Sequence, residues 1–324
     1  MKAIVLAGGH ATRLWPITRH RAKPLLNLDG RPIIDYIVRE LAGRDDVEKI
    51  YISTNKKYAQ DFQDYIDRNG YDQAEVVVED QASEDEKPGT IGATIKLLDR
   101  KGIDDDYLVI GGDNYYSFDL NDFLDFAGDS PAIACYDVGS TEAAQSFGVV
   151  EAGDDNIITG FEEKPDDPNS TLASIACYYF PQRDVSLFHD YEDHFQQTDV
   201  PADTYLDEPG RLIEWAFQQR DILAYAFQGQ WFDVGTREGY LKAQAALADG
   251  QRLEGEVQDC EIGDNVYVMD GAAVRDSGLE DCIVFPGATI RDSQLQGSIV
   301  DTQAHLHGVE LQDSLIGEHS QLQH

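Results

Sequence analysis

The sequence predicts an α/β protein with two parts. Residues 1–250 read as a mixed sheet with helices on both faces, and residues 251–324 read as a left-handed parallel β-helix. Three observations carry this. Strand-like apolar runs alternate with helix-like runs through the first half, at the spacing of a mainly parallel sheet. From Ala132 to Phe180 strand-like runs dominate. After Gly250 the chain repeats itself.

In chain order, KAIVL (Lys2–Leu6) is an apolar run of strand length that feeds a glycine turn. It begins directly after Met1, so no signal peptide is expected. Lys49–Thr54 and Ala74–Glu79 read as strands, with a helix at Tyr58–Arg68 between them. Ile91–Leu98 reads as the next helix and Tyr107–Gly111 as the next strand. PAIACYDV, FGVVEA, NIITGFEEKP and SIACYYF follow as strands, then Gly210–Gln219 and Arg237–Ala248 as helices. In sheets of this class ligands gather at the carboxyl ends of the strands.

The tail repeats every 16 residues in Asp281–Ile290, Gly297–Leu306 and Asp313–Leu322, with a first copy, Asp259–Val268, 22 residues before the second. Met269–Val274 reads as one extra unit. This alignment stacks Ile262/Val284/Val300/Ile316, Val268/Ile290/Leu306/Leu322 and Cys260/Cys282/Ser298/Ser314 in columns. An apolar residue every six, with a small one two before it, is the β-helix pattern.

The 324 residues carry a net charge of −36, with 61 acidic against 25 basic side chains. The acids are spread through the chain and 42% of residues are hydrophobic, so a packed core is expected rather than disorder. Such a surface suits a high-salt, haloarchaeal cytoplasm, where screening limits self-repulsion. It argues against nucleic acid and anionic membranes as partners. Cys135, Cys177, Cys260 and Cys282 form no CxxC pair and read as reduced thiols of a cytoplasmic protein. No apolar run reaches membrane-spanning length.

Chemistry concentrates in AGGHATRLWPITRHRAKPLL, Ala7–Leu26. Between Arg13 and Arg31 there are five Lys/Arg and one acid, Asp29. Glycines at a strand end let backbone N–H groups approach phosphate oxygens, and arginine presents a planar fork of donors. Cations gathered here, in a chain poor in them, point to a bound polyanion. Neither the dinucleotide fingerprint nor the Walker pattern is present. Asp113 ends the strand-like YLVIGGD, and Asp233 lies in QWFDVGT. Carboxylates together with substrate phosphates are a usual way to hold Mg²⁺.

Leu6–Tyr36 resembles the signature of the sugar nucleotidyltransferases, G-G-x-G-T-R-L-x-P-x-T followed by a Pro-Lys-rich stretch. The likeness is strongest to the glucose-1-phosphate thymidylyltransferase and uridylyltransferase branch, and further motifs extend it to about residue 250. The resemblance implies a Rossmann-like, GT-A-like catalytic domain. It implies nucleotide contacts at Leu6, Ala7, Gly8, Gly9, Thr12, Arg13, Gln81, Gly89 and Asp113. Sugar contacts are implied at Gly148, Glu163, Lys164, Tyr178 and Trp231, and Mg²⁺ on Asp113 and Asp233. Two departures stand out. Ala11 replaces the third glycine, so that position is not expected to need positive φ, and Ala22-Lys23-Pro24 reverses the usual Pro-Lys order.

The implied reaction joins a sugar 1-phosphate, best matched as glucose 1-phosphate, to a pyrimidine triphosphate (dTTP or UTP), releasing pyrophosphate. The attacking phosphate oxygen is already an anion, so positioning and charge neutralisation suffice. Arg13, Lys23 and Lys164 are the expected catalytic cations. A metal-dependent glycosyltransferase shares strand-end acids but leaves Gly8-Gly9 with Arg13 and Lys23 unexplained. A bifunctional acetyltransferase would need a catalytic histidine in the tail, where none stands out. A non-catalytic regulatory or scaffold homologue would not need Arg13, Lys23, Asp113, Lys164 and Asp233 together. The tail is expected to serve homo-oligomer assembly, since every matched residue precedes Gly250.

Overall fold

The computed structural model describes residues 1–79, 89–102, 104–248 and 250–324. They pack as two compact units. The first comprises Met1–Gly8, Ile37–Gly112 and Tyr116–Trp231; the second comprises Gly9–Tyr36, Asp113–Tyr115 and Phe232–His324. The division at residue 250 follows composition, whereas contact groups the signature loop, Asp113 and Asp233 with the tail.

The first unit is built on nine strands: β1 (Lys2–Leu6), β2 (Lys49–Thr54), β3 (Ala74–Val78), β4 (Tyr107–Gly111), β5 (Ala132–Asp137), β6 (Gly148–Ala152), β7 (Ile158–Glu163), β8 (Leu172–Phe180) and β9 (Leu223–Ala226). Their order is β7-β6-β8-β4-β1-β2-β3, with β5 beside β8 and β9 beside β5. β1 runs parallel to β2 and β4, while β8 runs antiparallel to β4, β5 and β6, so the sheet is mixed. All five residues of β4 are buried, as a continuous apolar run covered on both faces requires. The helix Ala59–Asn69 stops at Gly70, whose φ of 68° lets its N–H bond the Ile66 carbonyl. In β8 the register shifts between Ser174 and Tyr178 and Ala176 takes φ 56°, a bulge that bends the strand. Ile4, Tyr107, Val109, Ile133, Cys135 and Phe180 lie in this unit's core.

The second unit contains the parallel β-helix, with sheets of five, five and four strands. Its register corrects the expected one. Val284, Val300 and Ile316 do stack, but the residue ahead of them is Val268, not Ile262. Ile290, Leu306 and Leu322 stack on Val274, not Val268. Ile262 pairs with Leu279, and Cys282 with Val266, so Cys260 leaves the cysteine column and is only half-buried. The cause is that all three faces carry an apolar-centred strand, so self-alignment slips by one face without losing its apolar matches.

The corners explain the short coil. Asn265, Asp281, Gly297 and Asp313 share positive φ at one corner; Asp259, Asp276, Asp292 and Gly308 at the next; Gly271, Gly287, Gln303 and His319 at the third. A left-handed residue turns the chain tightly, and Gly, Asn and Asp adopt it most readily. Three such corners bring the repeat to 16 residues rather than three full hexads from Val266 onward, while two faces of the first coil pair at an offset of 17.

The signature loop packs on this β-helix. Leu14, Ile17, Leu26 and Leu28 share one core with Tyr240 and Leu241 of the helix Arg237–Leu247 and with Tyr267, Ile283, Phe285 and Ile299. The tail therefore holds the loop within its own core, a role that assembly alone does not include. Among the described residues no helix is long and apolar enough to cross a membrane.

Candidate active site

In the second unit, Lys23 opens a short turn, Lys23–Leu25, closed by the Leu26 N–H on the Lys23 carbonyl at 3.0 Å. Pro24 sits inside that turn, where its fixed φ favours the conformation, so the Lys-Pro order is accommodated locally. The Lys23 side chain is 9% exposed, with Nζ 2.5 Å from Asp113 Oδ2 and 3.4 Å from Asp233 Oδ1. Burial works against its charge, but Asp113 and then Asp233 outweigh it and raise its pKa. Arg13 is exposed on the turn Thr12–Leu14. A Cβ on Gly235 would lie 2.8 Å from Asp233 Oδ2 and 2.9 Å from Arg13 Nη2, so the glycine leaves room for both groups.

Ala11 overturns its expectation, for it takes φ 47° and ψ 46°. Its carbonyl accepts from Thr18 Oγ1 at 2.8 Å and from the Leu14 N–H at 3.1 Å. These bonds hold an alanine in the conformation that the family's glycine adopts freely. The cation count also overstates the anion site. Arg21 pairs with Asp301, and Arg31 lies 5.0 Å from the Tyr36 ring centre.

Asp113 and Asp233 meet on one cationic centre and remain 33% and 27% exposed. The point between them is held by the Lys23 ammonium, so the two carboxylates suit a hard divalent ion, its shell completed by water and phosphate oxygens, only once Lys23 Nζ turns away from them. Among the described residues no group of three or more His, Cys, Asp or Glu is placed to hold a metal.

In the first unit, the Ala7 carbonyl accepts from Thr54 Oγ1 at 3.1 Å and the Gly8 carbonyl from Asn55 Nδ2 at 2.9 Å. Leu6 carbonyl accepts from the Gly112 N–H at 2.9 Å. These bonds pin the end of β1 to its parallel neighbours. Gly8 has the Glu79 carboxylate against it, 2.2 Å from where a Cβ would stand, while Gly9 faces open space. Burial pushes the Glu79 carboxyl up, opposed by the bond from Ser53 Oγ at 3.2 Å. Gly89 takes φ 68° against the Leu206 carbonyl and opens the helix Gly89–Lys101. Gln81 lies outside the described residues.

Gly148 pairs across the ladder with Glu163, and a Cβ there would strike Phe161 at 2.5 Å and Glu163 Oε2 at 2.9 Å. Gly210 makes room for the same carboxylate. Burial first, and Glu208 second, push the Glu163 pKa up to about 7 against the pull of Lys164 and Arg211. Lys164 takes φ 50°, with its N–H on the Phe147 carbonyl at 3.1 Å, and its Nζ pairs with Glu208 Oε1. Tyr178 is 5% exposed and belongs to the core, its hydroxyl 3.5 Å from Ser174 Oγ. Trp231 packs edge-on against Phe147 with ring centres 4.8 Å apart.

Residues 2–250 match the Nucleotidyl transferase family. The chain belongs to that family. Among similar proteins, the bifunctional protein GlmU of Methanocaldococcus jannaschii is 27% identical over 283 residues, covering 84% of this chain and 61% of the relative. A glucose-1-phosphate adenylyltransferase of Trichlorobacter lovleyi is 30% identical over 271 residues, covering 76% of this chain and 65% of the relative. The chain thus spans less than two thirds of either relative. A solved Bacillus anthracis chain assigned as a glucose-1-phosphate thymidylyltransferase superposes with a TM-score of 0.64 at 26% identity, covering 77% of this chain and 96% of that one.

Within the family frame, sequence reasoning missed two carboxylates. Glu208 pairs with Lys164, and Glu79 stands against Gly8. Glu79 carried the same signal as Asp113, an acid at the end of an apolar strand run. Glu208 carried none. A cleft of about 750 Å³ runs along a β-helix face lined by Glu261, Glu280, Gln294, Gln296 and Glu310. Acids and amides without a cation do not suit a triphosphate.

Proposed function

We propose that this chain transfers a nucleotidyl group from a pyrimidine triphosphate, dTTP or UTP, to glucose 1-phosphate, giving the nucleoside diphosphate sugar and pyrophosphate. The observation that carries the reading is Lys23, buried between Asp113 and Asp233, each of the three in a stretch that resembles the family's motifs. The pyrimidine and glucose assignments draw support from the signature's likeness to the thymidylyl and uridylyl branch, and from the Bacillus anthracis neighbour.

A phosphate oxygen of the sugar phosphate attacks the α-phosphorus in line. That P–O bond forms as the bond to the β-phosphate oxygen breaks, and pyrophosphate departs with its electron pair. Arg13 binds the leaving pyrophosphate. Lys23 neutralises the nucleotide phosphates and Lys164 the sugar phosphate, so that two anions can approach. When the phosphate arrives, Lys164 exchanges Glu208 for it. Glu163, as a carboxylate, accepts hydrogen bonds from sugar hydroxyls. Asp113 and Asp233 would hold a Mg²⁺ ion, which would supply charge neutralisation at the α-phosphate when bound.

The test is pyrophosphate release with Mg²⁺ across a panel of nucleoside triphosphates and sugar 1-phosphates in molar KCl. Release with dTTP or UTP and glucose 1-phosphate above all other pairs is expected. Preference for ATP or GTP overturns the base assignment, and no release from any pair overturns the enzyme.

A further inference from the structure

We infer that the β-helix sets the aim of Lys23, through an ion pair between Arg21 and Asp301, and that both are positioning residues for the nucleotide-phosphate cation. This rests on the reaction proposed above.

Asp301 occupies an unusual place. The N–H groups of Met269, Phe285 and Asp301 bond the carbonyls of Val284, Val300 and Ile316, so the three hold equivalent places in successive coils. Met269 and Phe285 are apolar and 3% exposed; Asp301 is 2% exposed. A buried carboxylate in an apolar column contributes nothing to the packing of that column and needs a partner. Arg21 is that partner, with Nη1 3.2 Å from Asp301 Oδ1 and Nη2 donating to Thr302 Oγ1 at 3.1 Å. The guanidinium also lies 5.0 Å from the Phe285 ring centre. The Thr302 N–H holds the same Asp301 oxygen at 2.7 Å. One coil further on, Gly317 has no side chain, and Pro16 fills the space, 2.9 Å from where a Cβ would stand.

The column thus changes from apolar to acid to glycine where the loop crosses it. Arg21 lies two residues before Lys23, and its partner lies 280 residues away in sequence. A guanidinium held by two oxygens and a ring fixes the backbone entering the Lys23–Leu25 turn. That backbone decides where Nζ meets Asp113 and Asp233.

The experiment uses the full chain with Arg21→Met, Asp301→Leu and both together. Arg21→Met leaves the buried Asp301 carboxylate unpaired and destabilises the fold, and Asp301→Leu leaves the part-exposed Arg21 without its ion-pair partner, so the double variant decides. It removes both charges, and its melting temperature is expected at or above the wild-type value. Nucleotide kcat/KM should nevertheless fall, on the order of 10-fold to 10²-fold for a misplacement of about 1 Å, while the KM for the sugar 1-phosphate holds. A double variant with wild-type nucleotide kcat/KM, or one that loses both substrates equally, overturns the proposal. Hydrogen exchange separates this from the proposed function. The Leu25 and Leu26 amides bond the carbonyls of Ala22 and Lys23 and report the turn directly. If the wild type releases no pyrophosphate from any pair, the reaction fails, and faster exchange at those amides in the double variant still supports the clamp. Unchanged exchange overturns it.

Discussion

Lys23 and Lys164 are assigned to two phosphates, and the units that carry them hold them in different ways. Lys23 is 9% exposed, lies between two carboxylates, and belongs to a loop packed on the β-helix. Lys164 is 48% exposed, meets one carboxylate, and sits on a left-handed residue at the end of β7. Burial makes an ion pair hard to exchange, since a lone buried charge is strongly penalised. Exposure makes a pair weak and replaceable. Under the proposed reaction, the second unit therefore offers the more fixed centre, whose ion pairs open only at a cost that the arriving phosphates and metal must meet, and the first an adjustable one that trades its partner readily.

The sharpest way to break this contrast is at the fixed centre. Asp113→Asn and Asp233→Asn keep size and remove charge. Turnover should fall by ~10²-fold or more, because electrostatic stabilisation is usually the largest catalytic term. Both carboxylates are partly open to solvent, so the circular dichroism spectrum should persist. Near-wild-type pyrophosphate release from both variants would remove the metal and the fixed centre together.

The adjustable centre should respond to pH instead. The Glu163 pKa is pushed up to about 7 by burial and Glu208, so the carboxylate proposed to accept from sugar hydroxyls forms only as pH rises through that value. The kcat/KM for the sugar phosphate should climb between roughly pH 6 and 8, tenfold per pH unit on the acid side at most. Glu163→Gln should flatten the limb. The sign for stability is opposite. Folding raises this pKa above the ordinary 4.5, so the folded state binds the extra proton. That stabilisation is complete below pH 4.5 and is lost as pH rises through about 7. A rising limb that survives in Glu163→Gln assigns the titration elsewhere.

How much of this was legible in the sequence depends on the distance over which each feature is determined. β2 and β4 match their expected bounds at both ends, because local apolar runs bounded by turns define them. Lys23, Asp113 and Asp233 were each singled out from a motif, a local pattern at the end of a strand or turn, but their pairing with one another was not legible there. Ala11 was misread because its left-handed φ depends on the bonds from Thr18 and Leu14, not on its own preference. The β-helix was legible as a repeat, but its register was not, since three similar faces make a slip of one face cost nothing in apolar matches. Arg21 entered only as one of the five cations whose clustering points to a polyanion, because nothing nearby in sequence reveals its partner at Asp301.

Salt should separate the whole-chain charge from the local pairs. With a net charge of −36, repulsion grows as screening weakens, from a Debye length of ~3 Å at 1 M to ~10 Å at 0.1 M. The melting temperature should drop on dilution of the salt. The Lys23 pair, being buried, should change less than the exposed Lys164 pair, which can be read as a sugar-phosphate KM more salt-dependent than the nucleotide KM. An equal or higher melting temperature at low salt would refute adaptation to high salt.

The smallest expected effect compares two alanines that flank the glycine pair. Ala7 lies in the first unit, 3% exposed, at the end of β1 with ordinary φ. Ala11 lies in the second, with φ 47°. Ala7→Gly loses a buried methyl and raises the entropy of the unfolded chain, so it should destabilise by about 1–2 kcal/mol. Ala11→Gly raises the same entropy, about 0.4–1 kcal/mol, but relieves about 1–2 kcal/mol of left-handed strain. The two terms oppose, and the net change should be neutral to mildly stabilising. Denaturant melts of both variants at fixed salt measure the difference directly. If Ala11→Gly destabilised as much as Ala7→Gly, the strain assigned to the signature loop would not exist, and the bonds from Thr18 and Leu14 would be holding a conformation the alanine already prefers.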